Sequence, residues 1–242
     1  MFIHCDLLIL MLVLTLDGRV HTGEIIGGHE AVPHSRPYMV LVEGYHEDGS
    51  TIYCGGFLLN EEFVVTAAHC RARFYNILLG LHDHRKKEGI QRLCVKQEYQ
   101  HEDFNTNDFN NDIMLLKLSS KAHFNNNVKP IALAGKDDVN LPKACFTSGW
   151  GATGKINTYM SPVLREINVT LVDNEGCARA NLYCAEGEDG PSIGDSGGPL
   201  VCEDETAYGV VCAAFGHGSN ENKSYTKIPE FRDWIDSIMN KL

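Results

Sequence analysis

The stretch Gly194-Asp195-Ser196-Gly197-Gly198-Pro199 places one serine among glycines, directly before a proline. Small residues allow a tight turn that presents the serine hydroxyl outward while backbone N–H groups converge beside it. A nucleophile for acyl transfer and its oxyanion hole need this geometry. Taken alone, the run also fits an ordinary glycine-rich turn, so the rest of the chain must decide.

Two other motifs supply the partners that a nucleophilic serine requires. Val64-Val65-Thr66-Ala67-Ala68-His69-Cys70 ends an apolar run with a histidine, and Asn111-Asp112-Ile113-Met114-Leu115-Leu116 opens another with an acid. Imidazole can accept and return a proton near neutral pH, and an aspartate can orient its ring. A lone histidine beside a cysteine fits a core position equally well, but the order His69, Asp112, Ser196 favours catalysis. The other ten histidines, His82 among them, show no such pattern and are predicted on the surface or in loops.

The N-terminus has the pattern of a secretory signal peptide. Residues 7–16 form an apolar core, interrupted only by Thr15 and followed by polar Asp17-Gly18-Arg19. About ten apolar residues are too few to span a bilayer unaided. No later apolar run is long enough, so we expect a soluble product without a membrane anchor.

Charge and cysteine content limit the classes of partner. The chain carries a formal charge of −11, and residues 1–24 hold one basic and three acidic side chains, so about −9 remains without them. An acidic surface argues against nucleic acid or a sulfated glycan as the main partner. Nine cysteines suit an oxidising compartment, and eight remain after Cys5 leaves with the signal peptide.

Short β-rich segments separated by turn residues recur along the chain and predict an all-β barrel protein, not a βαβ one. They are residues 38–42, 51–59, 63–67, 76–79, 113–118, 144–148, 163–171, 199–202 and 208–211. Only the C-terminus has helical spacing, beginning at Pro229. Its apolar stripe, predicted to pack on the core, is Phe231, Trp234, Ile235 and Ile238.

From residue 25 onward these motifs resemble the chymotrypsin-like serine proteases. The resemblance implies two six-stranded antiparallel β-barrels, at about 37–130 and 131–228, with the cleft between them and an α-helix at about 229–240. It implies that Ser196 attacks the substrate carbonyl, that His69 is the general base and acid, and that Asp112 orients His69. The amides of Gly194 and Ser196 would form the oxyanion hole, and neither a cofactor nor a metal ion is required.

Glu24-Ile25-Ile26-Gly27-Gly28 resembles the zymogen junction of this family. Cleavage after Glu24 would free the Ile25 α-amino group to pair with Asp195, and this buried pair would order the oxyanion turn. The acidic Gly23-Glu24 resembles the propeptide that a dipeptidyl peptidase removes from granzymes and mast-cell proteases. We therefore expect a signal peptide at 1–22, an activation dipeptide at 23–24 and a protease domain at 25–242.

The resemblance also implies three disulfides and leaves two cysteines unassigned. The implied pairs are Cys54 with Cys70, Cys145 with Cys202, and Cys177 with Cys184. Cys94 and Cys212 are then buried thiols or are bonded to each other. Only six residues separate Cys177 from Cys184, fewer than in granzymes. A surface helix-loop bordering the cleft is therefore missing or trimmed.

Substrate specificity is expected to depend on the pocket floor. The resemblance places Gly190 there, where trypsin-like enzymes have an aspartate, and places Lys223 where granzyme B has an arginine that reaches into the pocket. An ammonium facing a bare floor would attract Asp or Glu of the substrate. Three alternatives remain open. Lys223 is a solvated or pocket-blocking residue, the preference is chymase-like and apolar, or a one-residue slip brings Asp189 to the floor of a tryptic pocket.

The pocket wall and two glycosylation sequons complete the candidate site. Within Val211-Cys212-Ala213-Ala214-Phe215-Gly216, either Ala214 to Gly216 or Cys212 to Ala214 holds the wall positions. In both cases the family's serine that hydrogen-bonds the catalytic aspartate is absent. Asn168-Val169-Thr170 and Asn222-Lys223-Ser224 are sequons. A glycan on Asn222 conflicts with a pocket role for Lys223, so at most one of these two interpretations holds.

Two classes of function therefore compete. The first is a monomeric, secreted or granule-stored serine endopeptidase that cleaves protein and peptide substrates and is activated by a dipeptidyl peptidase. Serpin-type inhibitors would be further partners. The second is a weak or inactive homologue that binds or signals, which the complete set of His69, Asp112 and Ser196 disfavours. A non-protease esterase would leave the zymogen junction without a role.

Overall fold

The structure, a computed structural model, describes residues 27–86, 88–138, 140–153, 159–187, 189–203, 205–212 and 223–240. The predicted signal peptide and activation dipeptide, Ile25, Gly216 and Asn222 lie outside these residues. None of the helices within them is long and apolar enough to cross a membrane.

A closed antiparallel barrel forms the N-terminal half. The first seven strands are β1 (His29–Glu30), β2 (Met39–Tyr45), β3 (Thr51–Leu58), β4 (Phe63–Thr66), β5 (Phe74–Leu79), β6 (Gln91–Gln100) and β7 (Met114–Leu118). Strands β2 to β7 close in the hydrogen-bonded order β2-β3-β4-β7-β6-β5. Their β-branched, aromatic and leucine side chains form one buried cluster, because such residues pack well on the pleated inner face of a barrel. Fully buried members include Val40, Phe57, Val64, Ile77 and Leu115.

The C-terminal half is a half-barrel sheet followed by a helix. Its elements are β8 (Cys145–Gly149), β9 (Arg165–Val169), β10 (Leu171–Val172), α1 (Glu175–Arg179), β11 (Leu182–Ala185), β12 (Pro199–Cys202), β13 (Thr206–Val211), β14 (Lys223–Lys227) and α2 (Ile228–Asn240). The sheet order is β1-β9-β8-β12-β13-β14-β11-β10. Both edge strands, β1 and β10, have only two residues, which limits pairing between the two edges. The predicted all-β, chymotrypsin-like class is confirmed, with one closed barrel and one half-barrel among the described residues.

Helix α2 packs as its sequence pattern predicts. Phe231, Ile235 and Ile238 are buried in the same cluster as the barrel interior, and Trp234 is half-buried with its indole N–H donating to Glu102 Oε2 at 3.0 Å. Burial of each large apolar side chain stabilises the fold by about 1.5–3 kcal/mol. The stripe therefore anchors the end of the chain to the core.

Two hydrogen bonds tie the halves together where the candidate site lies. The Gly55 amide on β3 donates to the Ser196 carbonyl at 2.8 Å, and the Thr226 hydroxyl on β14 donates to the Asp112 carbonyl at 3.1 Å. The site therefore lies at the junction of the barrel and the sheet. His82, predicted on the surface or in a loop, lies in the loop between β5 and β6, where its side chain is only 9% exposed and its Nε2 lies 3.0 Å from Glu30 Oε1.

Candidate active site

His69 and Asp112 form a direct pair at the edge of the barrel. His69 lies in a short 3-10 turn, Ala68–Cys70, just after β4, and Asp112 lies two residues before β7. Their Nδ1 and Oδ2 atoms are 2.6 Å apart, and the His69 amide donates to Asp112 Oδ1 at 2.9 Å. The Asp112 side chain is fully buried, whereas the His69 side chain is 20% exposed. The imidazole thus has one edge on a buried carboxylate and remains accessible from the cleft.

The loop before Asp112 holds this carboxylate in place through unusual backbone conformations. Phe109 and Asn111 both have positive φ angles, +54° and +58°. Side chains other than glycine rarely adopt this region, so the surrounding contacts must hold the loop. Asn111 Nδ2 donates to the Asp103 carbonyl at 2.9 Å, and the Phe109 ring meets the His69 ring edge-on at 5.6 Å between centroids. Phe109 therefore covers one side of the imidazole, a contact that the sequence motifs did not predict.

The main chain of Ser196 contacts β3 and the residue that follows His69. Its carbonyl accepts from the Gly55 amide at 2.8 Å and lies 3.7 Å from Cys70 Sγ. Within the described residues, the Ser196 hydroxyl and the His69 ring make no hydrogen bond with each other. The structure therefore brings the serine turn next to the histidine without a direct side-chain bond.

The turn around Ser196 leaves two amides free to bind an oxyanion. Among the hydrogen bonds of the described residues, the Gly194 and Ser196 amides have no acceptor, whereas the Asp195 and Gly197 amides bond to the Ser192 and Val211 carbonyls. Gly197 has φ +86°, and a Cβ there would lie 2.2 Å from Thr66 Oγ1 and 2.5 Å from the Gly55 carbonyl oxygen. Only glycine fits this position, so the tight turn predicted from the sequence depends on it.

Asp195 is enclosed in a cavity that glycines create. Its carboxylate accepts from the Gly151 amide at 2.7 Å and the Ser192 amide at 2.8 Å, and the side chain is almost completely buried. A Cβ at Gly149 or Gly151 would lie within 2.5 Å of this carboxyl group. Burial raises the pKa of Asp195 to about 6, although the two backbone hydrogen bonds oppose the shift. An ionised carboxylate at this buried position is destabilised unless a cation pairs with it.

This raised pKa gives a stability prediction for the chain that retains residues 1–24. In the unfolded chain the Asp195 pKa is about 3.9, so the folded protein binds this proton more tightly, and stability rises as the pH falls through about 6. Between pH 7 and pH 4 the wild type should gain about 2 kcal/mol of unfolding free energy relative to Asp195→Asn. Urea unfolding at both pH values measures this, with Asp189→Asn as the exposed control. Identical pH dependence in wild type and Asp195→Asn would contradict the prediction.

The pocket residues Gly190 and Lys223 lie together. Gly190 is buried with φ +151°, and a Cβ there would lie 3.1 Å from Lys223 Cγ and 3.4 Å from Lys223 Cε. Lys223 is 6% exposed at the start of β14. Asp189 is exposed, and its carboxyl group lies against Gly27, where a Cβ would approach it to 2.2 Å. The lysine stem thus passes over the bare position at 190, while Asp189 packs on the N-terminal segment.

Cys212 occupies the position beside Asp112. It directly follows β13, and its Sγ lies 3.1 Å from Asp112 Oδ2. This placement favours the alternative in which the wall segment begins at Cys212, while the remaining residues, 213 to 216, lie outside the described part of the chain. A thiol therefore lies where the sequence resemblance would place a serine hydroxyl.

Comparison with known proteins agrees with this geometry. The Trypsin family model matches residues 25–235. The chain belongs to the trypsin family. It is 39% identical to granzyme B of Rattus norvegicus, over 97% of this chain and 99% of that protein, and 39% identical to mast cell protease 3 of Ovis aries, over 96% of each. A solved structure titled "Structure of GrC" superposes with a TM-score of 0.79 at 34% identity, covering 88% of this chain and 99% of that chain. The resemblance found in the sequence is thus confirmed, and the chain is a serine endopeptidase of granzyme type.

The three disulfides of this trypsin-family protease join Cys54 to Cys70, Cys145 to Cys202 and Cys177 to Cys184. Cys94 is exposed on β6, Cys212 is buried, and the two are not bonded to each other. In the described residues, one group of three possible metal ligands occurs, namely Cys54, His69 and Cys70. The sulfurs of Cys54 and Cys70 are bonded to each other, so the group does not offer thiolates to a metal ion.

Two further features of the C-terminal half are helix α1 and the first sequon. The five-residue helix α1 contains Cys177, and its N-cap residue Asn174 accepts from the Cys177 amide at 3.1 Å. Asn168 of the first sequon is exposed on β9, opposite Phe146 on β8. The asparagine is therefore accessible on the sheet surface.

Proposed function

We propose that this protease is a secreted or granule-stored endopeptidase that cleaves peptide bonds after Asp or Glu, using Ser196, His69 and Asp112. The observation that carries the proposal is the buried His69–Asp112 pair beside the Ser196 turn. The relatives named granzyme B and mast cell protease 3 support the same class of enzyme.

The first half of the reaction forms an acyl-enzyme. Ser196 Oγ attacks the substrate carbonyl carbon while His69 Nε2 takes the hydroxyl proton. The Nδ1–H of the ring donates to Asp112 Oδ2, which fixes the tautomer and stabilises the imidazolium. The substrate oxygen becomes an oxyanion that the Gly194 and Ser196 amides stabilise. His69 then gives its proton to the leaving amine, and the peptide bond breaks.

The second half returns the enzyme to its starting state. A water molecule loses a proton to His69 and attacks the acyl carbon, and the same two amides stabilise the second oxyanion. Collapse of this intermediate releases the new carboxyl terminus, and His69 returns the proton to Ser196 Oγ. Because Asp112 has no exposed surface, water screens little of the attraction between its negative charge and the His69 imidazolium.

Activation depends on Asp195. After removal of residues 1–22 as a signal peptide and of Gly23-Glu24 by a dipeptidyl peptidase, the Ile25 α-amino group pairs with the Asp195 carboxylate. The glycine-lined cavity and the raised pKa of Asp195 support this role, because a cation there offsets the cost of the buried charge. The active product spans 25–242, and serpin-type inhibitors are its expected regulators.

The contact between Gly190 and Lys223 supports a preference for acidic substrates. The lysine stem lies over the bare floor position, and a carboxylate entering the pocket would meet the ammonium in a partly desolvated site. The exposed position of Asp189 against Gly27 argues against a tryptic pocket. An apolar, chymase-like preference would require the ammonium to turn away from the bound side chain.

Peptides that differ only in Asp, Phe or Arg before the scissile bond test this preference. We expect the Asp peptide to have the highest kcat/KM, by about 100-fold over the Phe peptide, which corresponds to about 2.7 kcal/mol of differential attraction. Lys223→Gly should remove this advantage. The control is Lys227→Ala, which removes a lysine from the same strand whose ammonium lies over the Tyr183 ring.

Each of the other possible results of this comparison would contradict a different part of the proposal. Higher turnover of the Phe peptide would show a chymase-like pocket, and higher turnover of the Arg peptide would place Asp189 at the floor. An Asp preference that survives Lys223→Gly would show that another group sets it. Failure to cleave any peptide in a broad library would favour the homologue that binds or signals.

A further inference from the structure

Cys212 is held rigidly beside the candidate triad. Its amide donates to the Ser224 carbonyl at 3.0 Å, which fixes the main chain against β14, and its side chain is only 4% exposed. Its Sγ lies 3.1 Å from Asp112 Oδ2, well inside the distance that a hydrogen bond to sulfur allows. The contact joins residues that are 100 positions apart in the sequence.

The thiol is the donor in this contact. A thiolate would place a second negative charge beside a carboxylate without exposed surface, which is strongly unfavourable in a buried site. The S–H group is a weak donor, and a charged acceptor strengthens its bond. Asp112 Oδ2 therefore accepts from two directions, the His69 ring at 2.6 Å and the Cys212 thiol, while Oδ1 accepts from the His69 amide.

The Cys212 bond restrains Asp112 in a way that His69 alone cannot. Both contacts from His69 come from a single residue, its amide to Oδ1 and its ring to Oδ2. The bond from Cys212 comes from the other half of the fold, at the end of β13. It opposes rotation of the carboxylate plane and also draws negative charge away from the oxygen that supports the imidazolium.

We propose that Cys212 is a positioning residue that orients Asp112 and sets how strongly His69 holds a proton, with a thiol giving a more basic ring than a hydroxyl would. This inference rests on the proposed function. Because an S–H donor neutralises Oδ2 less than an O–H donor does, the imidazolium keeps more stabilisation from the carboxylate. Activity should therefore begin at a higher pH than in a protein with serine at position 212.

Kinetics of Cys212→Ser and Cys212→Ala in the Ile25-started protein test the role. In Cys212→Ala, we expect kcat to fall about tenfold with KM little changed, because a transition-state contact weakens. In Cys212→Ser, kcat should be at least that of the wild type. The acid limb of the pH–rate profile should move in the order Ser, Cys, Ala from low to high pH. Cys94→Ser, on the exposed face of β6, is the control and should match the wild type.

A purely structural role for the thiol predicts the opposite ranking. Burying a hydroxyl in place of an apolar thiol would impair Cys212→Ser more than Cys212→Ala, and the acid limb would not move. Either of these results would overturn the proposal.

An infrared measurement separates this inference from the proposed function. In Ile25-started Cys94→Ser protein, Cys212 is the remaining thiol outside the three disulfides, and its S–H stretch can be recorded with or without activity. Changing Asp112 to Asn should shift this band to higher frequency, since a neutral amide is a weaker acceptor than a carboxylate. An unchanged band would show that the thiol does not donate to Asp112. If no variant cleaves peptides, the proposed function fails, and the band alone then decides whether Cys212 donates.

Discussion

Ser196→Ala is expected to abolish peptide hydrolysis, because it removes the hydroxyl that attacks the substrate carbonyl in the proposed reaction. His69→Ala and Asp112→Asn should each lower kcat by about 10⁴-fold or more, as observed when one member of such a triad is removed. The effects should not add in double variants, since the three residues act as one unit.

Steady-state kinetics on the best peptide substrate measure these losses. Ser119→Ala, which removes an exposed hydroxyl far from the turn, is the matched control and should keep wild-type kinetics. Circular dichroism and urea unfolding should show that all variants remain folded. Substantial turnover by Ser196→Ala would mean that the nucleophile has been wrongly assigned.

Protein that begins at Gly23 should be inactive, and removal of Gly23-Glu24 should activate it. Without the Ile25 α-amino group, Asp195 is a buried carboxyl that only the Gly151 and Ser192 amides satisfy. An unpaired buried charge costs about 3–5 kcal/mol, enough to reduce the population of the formed oxyanion turn by roughly 100- to 5,000-fold. The activated protein should therefore turn over peptides at least 100 times faster.

Asp195→Asn in the Ile25-started protein should reproduce the inactive state, since the amide cannot pair with the new terminus. Asp189→Asn changes an exposed carboxyl six residues away and should leave turnover intact. Equal turnover by the Gly23-started and Ile25-started proteins would contradict this activation mechanism.

The sequence predicted those parts of the fold and site that local patterns encode. Alternating β-rich segments and the C-terminal stripe were sufficient for the all-β class and helix α2. The apolar runs that end at His69 and begin after Asp112 correspond to β4 and β7, which are hydrogen-bonded neighbours in the barrel. Strand pairing therefore brings the two motifs together, and the 2.6 Å contact follows from it.

Contacts that depend on tertiary structure were not predictable in this way. The Cys212–Asp112 bond joins the end of β13 to the loop before β7, and no local pattern in Val211-Cys212-Ala213 distinguishes a donor from a packed thiol. The edge-on contact of Phe109 with His69 depends on a positive φ in an ordinary residue. By contrast, helix α1 had a usable local signal in Asn174-Glu175, an N-cap followed by an acid.

The burial of His82 could not be predicted from the sequence around it. Its carbonyl accepts from the Trp150 indole at 3.0 Å, and its ring packs 6.0 Å from that of His34. Both contacts come from residues distant in sequence, so the absence of a local motif around His82 gave no information about its burial.

The most direct test is to label the Ile25-started protein with a fluorophosphonate and locate the adduct by mass spectrometry. Such a reagent reacts with a serine only when a base activates it and an oxyanion hole stabilises the adduct. We expect a single adduct on Ser196, formed rapidly in the wild type, slowly in His69→Ala and not at all in the Gly23-started protein. An adduct on another residue, or no labelling of Ile25-started protein that is folded, would contradict it.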